Sequence, residues 1–485
     1  MRRRSPSVSL AALSLALVFM TGGDSSAWRA QTHKYERIVT LARERVPGPW
    51  TEAESHYGAI RGLFRRLDPH STFLDPPTRR AMEEDQQGGY YGIGVRLMRF
   101  GGRLTVVSVM PGTPAARTGI LSGDVIVRVD GREIGSLPLE IALSLLRGAD
   151  ESEVRLEIRR TGVPAPLRLA LRRAVIPNAS VTQALKLTGA PRTGYIALRT
   201  FATHSAEEVL AAAGRLRRAG CDRLLLDLRG NPGGSLEAAI TLAEMFLARG
   251  EMIVSVRGPR QQLRRAARAD GALRGVPLAV LIDRSSASSS EIVAAALQDH
   301  GRAVVVGTRS WGKGLVETLF DAPGGCTVAL TTARYYTPQG KSLQRDYADL
   351  DEYLTPLAGD GYDTDRSRPG GVIPDRIVRG EEIPLFVARQ LRTGTIFSFA
   401  RTATPLPASD DALLAAFRSF LARERVTTAG VDWPANRLPL IRELRREALA
   451  QHVSADAAAG LALAADPVVK AALAALAGNP IQEKP

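Results

Sequence analysis

Cysteine is nearly absent. The two present, Cys221 and Cys326, cannot make a disulfide framework even in an oxidising compartment, although a single bridge between them stays open. Histidine is scarce as well: the 6 residues are scattered, with no CxxC or HExxH pairing, so the sequence offers no metal site and no cofactor. The apolar run at residues 8–20 falls short of the ~20 residues that a membrane-spanning helix needs. Blocks of like charge are missing too. Lys+Arg exceed Asp+Glu by 64 − 50 = 14, yet the arginines are dispersed, which reads as an Arg-rich solvated surface with no nucleic-acid partner. No internal repeat or long low-complexity tract is evident.

What is present begins with a leader. Arg2, Arg3 and Arg4 precede the apolar run, and Ser25-Ser26-Ala27 supplies small residues for cleavage. Residues 1–27 are therefore expected to be a signal peptide, placing an exported chain in the periplasm or cell envelope. An uncleaved anchor is the alternative, and this segment is the one expected membrane contact. No Cys lies there for a lipoprotein anchor.

At 485 residues the chain is expected to hold three or four units, given roughly 100–200 residues per domain. Residues 28–84 have helical periodicity, interrupted by Pro47 and Pro49. Residues 85–178 change to short strands at 104–109, 125–129 and 154–158, separated by Gly turns, with one amphipathic helix at 137–146. Residues 179–396 alternate strands and helices, the order of an α/β layer fold. Residues 397–485 are Ala- and Leu-rich and helical, with a break near 405–411.

Three segments could carry chemistry. Ser288 follows the apolar strand 278–282 and has Glu291 three residues on, a capping-box spacing that places Ser288 at a helix N-terminus. Unpaired amides and the positive dipole end there favour a developing alkoxide or oxyanion, though a serine is also simply a good cap. Lys313 sits between Gly312 and Gly314. A free lysine has a pKa of about 10.4 and becomes a base only when burial lowers it; Gly-Lys-Gly alone also describes a surface turn. Asp227-Leu228-Arg229-Gly230-Asn231-Pro232-Gly233-Gly234 ends the strand 224–228, where α/β folds place sites. The amides of Gly233 and Gly234, with that of Ser289, could form an oxyanion hole; a tight strand-to-helix turn explains the glycines equally well.

Together these words resemble the C-terminal processing peptidases, or tail-specific proteases, a serine-lysine family with a PDZ domain. The matching words are LDPHSTFL at 67–74, YYGIGV at 90–95, PAARTGILSGDVIVRVDG at 114–131 and DLRGNPGG at 227–234. They continue with SASSSEIVAAALQD at 286–299, WGKG at 311–314, YYTPQGKSLQ at 335–344 and GGVIPD at 370–375, in family order. The resemblance implies a multidomain α/β chain with a crotonase-like peptidase core, an inserted PDZ β-module, and helical N- and C-terminal segments. It makes Ser288 the nucleophile and Lys313 the base, and maps a supporting acidic residue onto Asp299. Eleven residues along a helix put Asp299 on the face of Ser288 but roughly 16 Å away. Glu317 stands where the family has Gln, and a carboxylate there would favour the ammonium form of the lysine. Tyr91, Gly92, Ile93 and Gly94 fall on the carboxylate-binding loop of the PDZ module, where a substrate tail adds as a strand. The expected function is an exported serine endopeptidase that cuts unfolded or flexible proteins near their C-termini. An adaptor protein stays open as a partner.

Two other readings stand beside this one. Gly307 to Lys313 nearly spells a phosphate-binding P-loop, but Gly314 occupies the Ser/Thr position and residues 315–320 read as a strand where the motif needs a helix. A PDZ scaffold that binds C-termini without cleaving them is supported by Glu317.

Overall fold

The structure is a computed structural model that describes residues 25–46, 52–64, 66–347, 352–353, 365, 367–403 and 405–478. The apolar run at 8–20 lies outside them. The described chain opens with helices α1 (Ser25–Arg45) and α2 (Glu52–Phe64), strand β1 (Thr72–Leu74) and helix α3 (Pro76–Gln87). The periodicity of residues 34–68 foretold the helix pair. The strand and α3 were not foreseen, since β1 has three residues and α3 starts on two prolines.

The PDZ region comprises β2 (Gly89–Gly92), β3 (Val95–Phe100), β4 (Arg103–Val109), α4 (Pro114–Arg117), β5 (Val125–Val129), β6 (Arg132–Glu133), α5 (Leu139–Leu146), β7 (Glu153–Arg159), β8 (Leu167–Arg172) and β9 (Ala174–Pro177). Among the described residues β2 and β9 pair only with each other, as an antiparallel neck, while the remaining strands form one sheet in the order β3-β4-β5-β7-β8 with β6 on β5. Alternate residues of β7, Val154, Leu156 and Ile158, enter an apolar core with Leu104, Ile126 and Ala142. β3 ends the sheet, so its outer edge has no strand partner among the described residues.

The α/β core contains β10 (Val181–Lys186), β11 (Thr193–Leu198), α6 (Ser205–Arg218), β12 (Arg223–Asp227), α7 (Leu236–Glu244), β13 (Met252–Arg257), β14 (Gln262–Ala266), β15 (Leu278–Ile282), α8 (Ser289–Asp299), β16 (Val304–Gly307), β17 (Leu315–Ala322), β18 (Cys326–Tyr336) and β19 (Arg376–Ile377). One six-stranded sheet runs β10-β11-β12-β15-β16-β19, parallel except for β10. β11 and β15 are buried along their whole length, which is why they read as unbroken apolar runs. A second, antiparallel sheet joins β1, β18, β13 and β14, with β17 on β18. Helices α6, α7 and α8 fill the space on one face of the parallel sheet. Cys221 lies in that core and Cys326 beside Tyr57; both are free thiols, so the open question of a bridge resolves against one.

The C-terminal helices are α9 (Leu385–Thr393), α10 (Thr395–Thr402), α11 (Asp410–Arg423), α12 (Trp433–His452), α13 (Ala455–Ala465) and α14 (Pro467–Gly478). Val387 and Ile396 share one core with Leu413, Phe417 and Leu440, so this unit starts at α9 rather than at residue 397. The sequence boundary missed this because α9 continues the charged character of the preceding loop. α14 covers the other face of the parallel sheet, its Val468, Val469 and Ala472 packing on Tyr195, Leu225 and Leu281. At the opposite end, Phe397 packs on Phe100 of β3 at 5.4 Å between ring centroids, and Arg401 donates to the Ser122 carbonyl at 2.6 Å. The extension therefore touches both the PDZ region and the peptidase sheet.

Candidate active site

The buried strand β15 delivers the chain into a tight loop that ends at Ser288, the N-cap of α8, with φ 53° and ψ −115°. A non-glycine residue at positive φ costs about 1–3 kcal/mol and persists only where its surroundings fix it. Here they do. Ser285 N donates to Asp283 Oδ1 at 2.9 Å, and the Ser286 hydroxyl donates to the Leu228 carbonyl at 2.8 Å. The next two hydroxyls are also used: Ser289 Oγ donates to Gly234 O and Ser290 Oγ to Asn231 O, each at 2.9 Å. Ser288 is half-buried while Ser289 and Ser290 are buried.

Glu291, wholly buried in the first turn of α8, ties this cap to the segment bearing Lys313. Its Oε2 accepts from Ser288 N at 2.8 Å and from Lys313 N at 2.9 Å. Its Oε1 accepts from Gly312 N at 2.7 Å and from the Ser310 hydroxyl at 2.5 Å. Burial pushes the carboxyl up to about 7, against the pull of these four donors. Gly314 leads into the strand β17, not into a helix, so the phosphate-binding reading of 307–313 has no helix N-terminus to use.

The glycine loop lies against the same cap. A Cβ on Gly233 would sit 2.8 Å from Ser288 Cβ and 3.0 Å from Ser289 N, so only glycine fits there. The Gly233 amide, however, donates to Asn231 Oδ1 at 2.9 Å. Neither Ser289 N nor Gly234 N donates to an acceptor among the described residues. Of the three expected oxyanion donors, Gly233 is thus spoken for and two remain free. The loop itself is braced from beneath. Asp227, fully buried, accepts from Arg229 Nε at 3.0 Å and from the Tyr195 hydroxyl at 2.5 Å. Burial would push the Asp227 carboxyl up, but the hydrogen bonds and charge of Arg229 hold it below the usual range. Arg229 reaches on to Asp466 at 2.7 Å.

Lys313 Nζ lies 3.0 Å from Glu317 Oε1 and donates to Oε2 at 3.3 Å. It is engaged by the carboxylate rather than by the Ser288 hydroxyl. The same Glu317 Oε1 is approached by His70, whose Nδ1 is 3.6 Å from it and whose Nε2 is 2.6 Å from the Tyr353 hydroxyl. Burial, and then the positive charge of Lys313, hold the imidazole down at about 4, against Asp68. Trp311 Nε1 donates to the same Tyr353 hydroxyl at 3.1 Å, and the Arg345 guanidinium lies 4.6 Å over the Trp311 ring.

Asp299 lies at the C-terminal end of α8, where its Oδ2 accepts from Gln339 N at 3.0 Å, away from Ser288 as the helix spacing required. In the PDZ region Tyr91 and Gly92 belong to β2, paired with Val175 and Ala174, while Ile93 and Gly94 make the turn into β3. Gly94 has φ 82°, and a Cβ there would lie 2.2 Å from that of Thr113.

Two family models match the chain: peptidase family S41 over residues 192–353 and the PDZ domain over residues 105–160. A carboxyl-terminal-processing protease of a Picosynechococcus species is 32% identical over 319 residues, covering 65% of this chain and 76% of the relative. The chain belongs to peptidase family S41. A carboxy-terminal-processing protease of Bartonella bacilliformis is 38% identical over 292 residues, covering 59% of this chain and 66% of that relative, just under two thirds of its length. Among solved structures, a photosystem II D1 C-terminal processing protease aligns with 29% identity and a TM-score of 0.39, covering 72% of this chain and 87% of that one. The fold expected from the sequence, a peptidase-family α/β core with a PDZ domain, therefore holds.

Sequence reasoning passed over several residues of this S41 site. His70 lies in a quoted motif but was given no role, and Glu291 was read only as a cap partner. Tyr353 and Asp466 carried no local signal, because each reaches the site from a distant part of the chain.

Proposed function

We propose that this chain is an exported serine endopeptidase that cleaves proteins near their C-termini. Ser288 is the nucleophile, Lys313 in its amine form takes the serine proton, and the Ser289 and Gly234 amides receive the oxyanion. The observation that carries the reading is the shared acceptor: one Glu291 carboxylate holds the amides of both Ser288 and Lys313. The open edge of β3 supports strand addition by a substrate tail, with the turn at Ile93 and Gly94 receiving its carboxylate. No metal or cofactor enters these steps.

The experiment is cleavage of an unfolded reporter by wild type, Ser288→Ala, Lys313→Ala and Ser290→Ala. The first two variants should lose at least about 1,000-fold in kcat/KM because nucleophile and base act as a unit. Ser290→Ala should keep most activity, losing only the bond to the Asn231 carbonyl. The engagement of Lys313 by Glu317 favours one second reading, a PDZ scaffold that binds C-termini without cutting. An inactive wild type that still binds tails would select it.

A further inference from the structure

His70 comes from the N-terminal segment, on no element that carries the candidate dyad, yet its ring is 13% exposed and wedged against the carboxylate that holds Lys313. Its protonation pattern can be read from the hydrogen bonds around it. An indole N–H can only donate, so Trp311 Nε1, at 3.1 Å, occupies a lone pair of the Tyr353 hydroxyl. Tyr353 is 1% exposed, and its own proton needs an acceptor. Among the described residues the acceptor within reach is His70 Nε2, 2.6 Å away. Nε2 is then unprotonated, and the neutral imidazole carries its proton on Nδ1, facing Glu317 Oε1 at 3.6 Å. That buried oxygen already faces Lys313 Nζ at 3.0 Å, and a shift of about half an ångström would add the ring N–H as a second donor to it.

We infer that His70 is a positioning residue for the lysine base: its Nδ1–H, fixed by the Trp311–Tyr353 pair, steers the Glu317 carboxylate, which in turn sets where the Lys313 amine points. With the lysine amine and the ring N–H both directed at Oε1, Glu317 cannot follow the lysine freely, and the amine is kept near the segment that Glu291 ties to Ser288. The other charged and titratable groups around the ring fit this role. Asp68 turns its carboxylate to other donors: Oδ1 accepts from the amides of His70 and Ser71 and from the Thr331 hydroxyl, and Oδ2 from the Ser71 hydroxyl. Arg345 lies 4.8 Å over the Tyr353 ring and Tyr347 packs on the same ring at 4.8 Å, which keeps that phenol in place. Tyr335 faces Glu317, and burial pushes its hydroxyl up, so it stays a neutral phenol. The imidazole is neutral at ordinary pH because burial disfavours its charged form.

This inference rests on the Ser288/Lys313 reading, and two measurements keep them apart. The first needs no activity: 15N NMR of the full chain labelled at histidine, with His70→Leu to assign the resonance, should show the His70 proton on Nδ1. In Tyr353→Phe it should move towards Nε2. A proton on Nε2 in the wild type overturns the inference whatever the catalytic results. The second is kinetic. His70→Leu should lower kcat about 10- to 100-fold with KM little changed, as expected when a reacting group is misplaced by about an ångström. His70→Asn, which can present an N–H near the Nδ1 position, should recover most of that loss. In a Glu317→Gln background the His70→Leu effect should shrink. Equal losses in both backgrounds mean that His70 acts on the fold alone and overturn the inference. Persistent activity in Lys313→Ala would instead sink the dyad.

Discussion

The main-chain amides of Ser288 and Lys313, 313 − 288 = 25 residues apart, donate to the same oxygen, Oε2 of Glu291, at 2.8 and 2.9 Å. The spacing between the Ser288 and Lys313 backbones is thus held by a buried carboxylate. All four groups on Glu291 are donors, and the Ser310 hydroxyl is itself occupied by Val372 N at 2.6 Å. Above about pH 7, where Glu291 is ionised, a carboxylate suits that cage and an amide does not.

Glu291→Gln should therefore cost about 2–4 kcal/mol, since its NH2 must face N–H groups left without an acceptor. Activity should fall much further than that of Ser290→Ala. Urea unfolding midpoints alongside reporter cleavage check both halves. A variant of wild-type stability and rate would mean that the loop bearing Lys313 is fixed by other contacts.

The sequence makes the positions proposed here for nucleophile and base, and the glycine loop, legible because each is a short word of local geometry: a strand end, a cap, a glycine turn. It could not reveal which amide of the loop is free. Gly233 and Gly234 look alike in sequence, and only the Asn231 side chain, folded back on its own loop, separates them. Nor could it place Tyr353 or Asp466, whose roles depend on how distant segments close over the site. The fold was legible where periodicity was strong, as in β7 and β15. It was not where an element is as short as β1 or where packing, not pattern, sets the boundary, as at α9.

Asp466 turns the C-terminal extension into part of the site. One of its oxygens caps α14 through Val468 N at 2.8 Å, while the other holds Arg229 at 2.7 Å, in the loop that ends in Gly233 and Gly234. Asp466→Asn should lower kcat several-fold and speed amide exchange at 229–234, leaving tail binding by the PDZ region unchanged. The hydrogen bond to a charged group makes the expected stability loss about 1–3 kcal/mol. Exchange rates identical to wild type would show that Asp227 alone suffices to hold Arg229.

Docking through the PDZ edge predicts that a substrate with a free C-terminal carboxylate is preferred over its amidated form. The difference should appear in KM rather than kcat, since the carboxylate is remote from the scissile bond. Matched peptides with either terminus, titrated against the wild type, provide the measurement. Equal KM values would remove the turn at Ile93 and Gly94 as a carboxylate receptor.

Two buried groups give stability opposite dependences on pH. The folded chain holds the His70 imidazole at about 4, below its ordinary 6.5, so the unfolded chain binds the extra proton between those values. The contribution of His70 is therefore complete above about 6.5 and is lost as pH falls towards about 4. Glu291 is raised from 4.5 to about 7, so its contribution is complete below 4.5 and is lost as pH rises through about 7. Across the shared window the two slopes oppose, and the wild type should change little on their account. His70→Asn removes one slope and leaves the other. The stability advantage of wild type over this variant should then grow as pH rises from about 4 to 6.5 and level off above, read from urea midpoints across that range. A difference that stays constant with pH would mean that His70 titrates alike in the folded and unfolded chains, and that its burial against Glu317 and Tyr353 does not survive in solution.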